Sequence, residues 1–210
     1  MRKIWFVFCL VTSINCYASI DDWQVSLGFG TAFNYDESIN VKLDDRSNVR
    51  LDSVEFQTKP FEDTPYFSVK ATNWASEHAL EVEYIHHKLY AKSSSLSGPI
   101  DKLEFANGYN LLYANYVIRR NNVWNIRAGV GVVITRPEMV IDNENIKGDY
   151  GLTGYTFQLG MERELITSDS VSFSLESKVT HSRADVDFDG GSMSIPNTAL
   201  HLLANIKYRL

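Results

Sequence analysis

Three adjacent residues, His86-His87-Lys88, concentrate more reactive side-chain chemistry than any other stretch of this chain. Imidazole can take up or release a proton near neutral pH and can ligate a metal, and a lysine ammonium is a point charge for phosphate. Glu104, Asn110, Arg136 and Glu138 add carboxylate, carboxamide and guanidinium groups downstream, and the remaining histidines are His78, His181 and His201. Asp185-Val-Asp187-Phe-Asp189-Gly190 matches the opening of a calcium loop, but the closing glutamate position holds Pro196, so it reads as a solvated acidic tip. No hydrolase motif, phosphate-binding glycine loop or metalloprotease motif is present. These residues assign neither a metal nor a cofactor.

Which of these groups can meet depends on the elements that carry them. Trp23, Val25, Leu27, Phe29, Thr31 and Phe33 alternate with Gln24, Ser26, Gly28, Gly30, Ala32 and Asn34. Strand side chains point to opposite sides in turn, so this is a strand with one greasy face and one small, polar face. Trp124 to Thr135 repeats the split. The alternation predicts eight strands, at 23–34, 65–74, 79–91, 108–120, 123–135, 152–165, 170–183 and 196–210. Their connections alternate strictly. Residues 75–78, 121–122 and 166–169 are short, whereas 35–64, 92–107, 136–151 and 184–195 are long, with 38–58 a candidate extension of the first hairpin.

Residues 1–18 carry Arg2-Lys3, an apolar run Ile4–Val11 and small residues before Ser19, the pattern of a secretory signal peptide. The run is too short to cross a bilayer as a helix, which takes roughly 20 apolar residues. Asn15 before Cys16 does not fit a lipoprotein acceptor. Removing the leader takes both cysteines, Cys9 and Cys16, and two cations, so the formal charge of the remaining chain goes from −6 to −8. That excludes disulfides and thiolate sites, and an acidic chain without a basic stripe argues against nucleic acid. Export, alternation, short turns on one side and long loops on the other predict residues 19–210 to be one all-β domain. It is an eight-stranded antiparallel up-and-down barrel of a Gram-negative outer membrane. The chain is expected to be monomeric and to contact outer-membrane lipid and lipopolysaccharide.

With greasy faces toward lipid, the lumen collects Glu81, Glu83, Arg119, Arg127, Gln158, Glu162, Glu176, Lys178, Asn205, Lys207 and Arg209. An eight-stranded interior is just wide enough for side chains to fill, so the set reads as a salt-bridged plug and not a pore. Trp23, Trp74, Trp124, Tyr84, Tyr90 and Tyr116 are candidate interface aromatics. By the same parity His87 shares the lumen face with Glu83, while His86 and Lys88 face outward together near the outer end. His181 and His201 are expected near the outer ends of strands seven and eight, on opposite faces, and His78 in a short turn.

Several stretches together resemble the lipid A oxidase family of outer-membrane barrels. They are Lys59-Pro60-Phe61 running to Pro65-Tyr66-Phe67 and Lys70–Trp74, then Glu81–Ala91, Leu103–Asn110, Asp187–Gly191 and the closing strand. The last strand, with Tyr208 two before Leu210, is also similar to the recognition tail of bacterial barrels, with Leu in place of the usual Phe. The resemblance implies oxidation of the reducing-end glucosamine of lipid A to an aminogluconate unit, using oxygen at the cell surface. It implies His86, Lys88, Glu104 and Asn110 as catalytic candidates, with Lys88 and Arg136 as lipid contacts. The chain departs from the family at Arg136, where a histidine is expected. A non-enzymatic surface barrel with a plugged lumen is the alternative, and fold-level likeness does not choose between them.

Overall fold

The computed structural model describes residues 22–210 except Arg46 and Asp63; the signal-peptide reading lies outside the described residues. The strands in chain order are β1 (Trp23–Asn34), β2 (Glu37–Leu43), β3 (Val49–Val54), β4 (Phe56–Gln57), β5 (Phe67–Ala75), β6 (His78–His86) and β7 (Leu89–Ala91). They continue as β8 (Ile100–Phe105), β9 (Tyr109–Arg120), β10 (Trp124–Thr135), β11 (Glu138–Ile141), β12 (Glu144–Lys147), β13 (Gly151–Thr167), β14 (Val171–Phe188) and β15 (Gly191–Arg209).

Eight of these form a ring in the order β1-β5-β6-β9-β10-β13-β14-β15, closed by β15 pairing with β1. The register shows how it closes. From Gln24 the partners run Thr72, Glu81, Asn115, Gly129, Gln158, Thr180 and Ala199, returning to β1 at Asn34. The circuit returns ten residues along the starting strand (34 − 24), and that stagger tilts the strands by about 40° to the barrel axis.

The alternation sets two opposite surfaces. Outside, Val25, Leu27, Phe29, Val82, Val130, Phe157, Leu159 and Leu175 are exposed. Inside, Lys70, Glu81, Glu83, Arg127, Glu162, Glu176, Lys178 and Lys207 are buried, four acids against four bases. A greasy exterior around a charged interior is inverted relative to a water-soluble domain, and is the surface of a bilayer-spanning barrel. Arg127 binds Glu81 at 3.1 Å, Glu162 at 2.8 Å and Glu176; Lys178 binds Glu83 and Glu176; Lys70 binds Glu176; Lys207 binds Glu162 at 2.7 Å. Asn115 and Gln158 complete the net by donating to Glu83. Gly129 makes room for it, since a Cβ there would lie 1.8 Å from Asn115 Oδ1.

Three features differ from the expected pattern. Lys70 belongs to the plug, whereas Arg119 lies at the short-turn end against the Trp74 ring and Arg209 is exposed. Tyr90 is buried and is no interface aromatic. The long connections are largely strand. β2 and β3 add onto the upper part of β15, and β12-β11-β8-β7-β4 form a second sheet. The expected loop 184–195 is absent: β14 runs to Phe188, and only Asp189-Gly190 separate it from β15. Above the plug, Ile39, Val41, Leu51, Phe56, Leu103, Phe105 and Met139 from these additions join Ile85, Leu111, Val186 and Ile195 in one apolar core.

Candidate functional site: a lateral cleft at the outer end of the wall

The cleft is built on four neighbouring strands. Register puts Phe67 of β5 beside His86 of β6 and Asn110 of β9 beside Ile134 of β10, with Tyr84 two residues before His86 on the same face. Thr64, Asn107 and Tyr150, from three different connections, roof a space of about 450 Å³ over them.

Its polar centre is one carboxamide oxygen. Asn110 Oδ1 accepts from the Tyr84 hydroxyl at 2.8 Å and from His86 Nδ1 at 2.8 Å. An oxygen cannot donate, so His86 carries its proton on Nδ1 and leaves a lone pair on Nε2. That Nε2 is buried and has no hydrogen-bond partner, and the ring is fixed by stacking on Phe67, centroids 5.4 Å apart. Gly108 permits the arrangement. Its φ is +113°, and a Cβ there would lie 2.2 Å from Asn110 Oδ1. The roof is tied down by Tyr150, whose hydroxyl donates to the Asn107 carbonyl at 3.0 Å while Asn107 Nδ2 donates to Glu138 at 2.7 Å. Arg136 lies over the Tyr150 ring at 5.5 Å. A bare imidazole nitrogen among aromatic rings, with a cation at the edge, can accept a proton from a polar ligand or bind it directly.

Of the expected site residues, His86 and Asn110 meet and Arg136 stands at the cleft's margin. Lys88 does not join them. It is buried, donates to the Glu62 and Lys59 carbonyls and lies beside the Tyr90 ring, so its charge is not offered outward. Strand β6 ends at His86, and the chain then turns inward, which breaks the parity that would have paired the two. Glu104 sits on β8, bonded to Lys102 at 2.5 Å, and is not part of the cleft lining. Phe67 and Tyr150 are contributors the sequence pattern did not single out, and Tyr84, expected as an interface aromatic, also lines the cleft; its place two residues before His86 was the available signal.

The other histidines separate. His78 bonds Tyr116 at the short-turn end and His181 bonds Thr198 on the outer wall. His87 and His201 instead meet inside the lumen, ring centroids 5.1 Å apart. His181 and His201 both lie mid-strand, not near strand ends, because β14 runs on to Phe188 and β15 begins at Gly191. Among the described residues no three His, Cys, Asp or Glu side chains converge as a metal cluster.

No protein-family description matches the chain, and neither does any curated protein sequence. Solved structures do. The attachment invasion locus protein Ail of Yersinia pestis aligns at 12% identity and a TM-score of 0.45, covering 89% of this chain and 99% of that one. Neisserial surface protein A aligns at 10% and 0.44, covering 90% and 97%. The outer membrane protease OmpT of Escherichia coli aligns at 8% and 0.45, covering 91% and 98%. At such identities the architecture rests on the ring closure and the inverted surfaces described above.

Proposed function

We propose that this chain is an outer-membrane barrel that does not conduct, and that its cleft takes the headgroup of lipid A from the outer leaflet and modifies it. The observation that carries the reading is the partnerless Nε2 of His86, set in a cleft that opens sideways on the lipid-facing wall. A ligand arriving through the membrane plane reaches such a cleft; one arriving through the lumen meets the ion-paired plug. His86 acts as proton acceptor, Asn110 holds its tautomer, and Arg136 with the Tyr150 ring receives phosphate and sugar. Within this class, the resemblance favours oxidation of a reducing-end glucosamine whose C1 is free of phosphate. The C1 hemiacetal passes two electrons and two protons to dioxygen, which leaves as hydrogen peroxide, and water opens the resulting lactone to the aminogluconate. The barrel works as a monomer in contact with lipopolysaccharide.

Mass spectrometry of lipid A from aerobically grown cells with and without the protein tests this. The expected product gains one oxygen and disappears with His86→Ala while the barrel still folds. Unchanged lipid A with the wild-type chain overturns the modifying reading and leaves a non-enzymatic surface barrel.

A further inference from the structure

Inside the lumen, directly behind the wall that carries His86, three rings close a triangle. The centroids of His87 and His201 are 5.1 Å apart, Tyr66 and His201 5.9 Å, and Tyr66 and His87 6.1 Å. All three side chains are buried, at 1% exposure or less. The ion-paired plug lies on one side, with Lys178 beside His201 in register, and the apolar core on the other.

The hydrogen bonds define what this pocket offers. His87 Nε2 points at Asn34 Oδ1 (3.1 Å) and Asn197 Oδ1 (3.3 Å), two acceptors, so the ring proton is on Nε2. His87 Nδ1 is then a bare lone pair, and it is buried without a partner. Leaving such an acceptor unmade is costly. An imidazole whose far N–H is held by carbonyl oxygens, with its other nitrogen bare, is how a metal-ligating histidine is normally prepared. His201 has Tyr66 Oη at 2.6 Å from Nδ1 and Thr180 Oγ1 at 2.8 Å from Nε2, so Thr180 can hold its far nitrogen in the same way.

The ring spacings, which ordinary aromatic packing also produces, leave room for one ion. With metal–ligand bonds of about 2.0 Å and tetrahedral angles, two imidazole centroids fall about 5 Å apart and an imidazole and a phenolate centroid about 6 Å. The geometry points to a buried His₂Tyr site, His87, His201 and Tyr66, for one first-row transition ion of the zinc–copper end of the series, the ions imidazole suits. Binding a divalent ion displaces the phenol proton of Tyr66 and opens its contact with His201 to about 3.3 Å at tetrahedral geometry. The site then gains a single net positive charge, against a plug whose buried acids and bases are equal in number. With plug and core sealing it, the ion enters as the barrel closes and leaves only when it opens.

The test is refolding of the chain from urea into detergent with Zn²⁺ or with Cu²⁺, followed by EDTA, desalting and elemental analysis. The wild type is expected to keep close to one ion per chain of at least one metal. His87→Gln/His201→Gln together are expected to keep less than a tenth of that, and His78→Gln and His181→Gln to match the wild type. Retention below a tenth of an ion by the wild type with both metals overturns the proposal, as does undiminished retention in the folded double variant. If the double variant does not fold, Tyr66→Phe decides, because it preserves the ring. Its retention should fall at least tenfold, and any phenolate-to-copper absorption of the wild type should vanish; equal retention overturns the site.

Discussion

At the scale of single residues the ion-pair net is the most exposed to test. Arg127 serves Glu81, Glu162 and Glu176 at once, and all four side chains are buried. Arg127→Leu therefore leaves Glu81 with no cation among the described residues, and takes one cation each from Glu162, which keeps Lys207, and Glu176, which keeps Lys70 and Lys178. Removing one side of a buried pair costs about 3–5 kcal/mol. Arg136→Leu loses a contact over an accessible ring and should stay within about 0.5 kcal/mol. Urea midpoints in detergent should separate the two variants clearly; coincident midpoints would refute the facing assignment. Parity along the strands was enough to name most of this net, because charge on the inner face of an alternating strand has nowhere else to go. Lys70 obeys the same parity, Ser68, Lys70 and Thr72 opposing Phe67, Val69 and Ala71, and only the Asn73-Trp74 end of its strand breaks the alternation. The cleft was half legible. His86 and Asn110 stood out by type, but that Asn110 Oδ1 accepts from both His86 and Tyr84 depends on the β6–β9 register. Lys88 was misplaced because parity holds only while the strand lasts.

Among the elements, the turn between β9 and β10 carries its own prediction. Asn121 and Asn122 both have positive φ, +50° and +55°, the conformation of a two-residue hairpin turn that asparagine tolerates. Asn122→Val places a β-branched side chain there and should cost about 1–2 kcal/mol, whereas Asn122→Gly should be close to neutral. Thermal melts of the two variants check this. The three short turns were readable from spacing alone. The long connections were not, since strands such as Phe56–Gln57 and Glu144–Lys147 are too short to show an alternation. Gly190 and its acidic neighbours suggested a broad loop over 184–195. In fact Ala184 and Val186 keep the inward parity and Asp185 and Asp187 the outward one, up to a turn where Gly190 takes φ +88°.

For the molecule as a whole, the inverted surfaces make two predictions. Leu159, 69% exposed midway along β13, faces hydrocarbon, so Leu159→Arg should cost about 2–4 kcal/mol when folding into lipid vesicles. An equal free energy for the two chains would mean that this face meets water. In planar bilayers the wild-type barrel should show no steady conductance, because the plug fills an eight-stranded lumen and the apolar core stops it above. The pairing of first strand with last has a kinetic corollary. Eleven successive partners, Gln24–Asn34 against Ala199–Arg209, join the two ends of the described chain. Contacts of such sequence separation form late, after the loop-closure entropy of nearly the whole polypeptide has been met. Until Ala199–Arg209 is delivered, β1 has one edge with no neighbour, and closure of the ring waits on that segment.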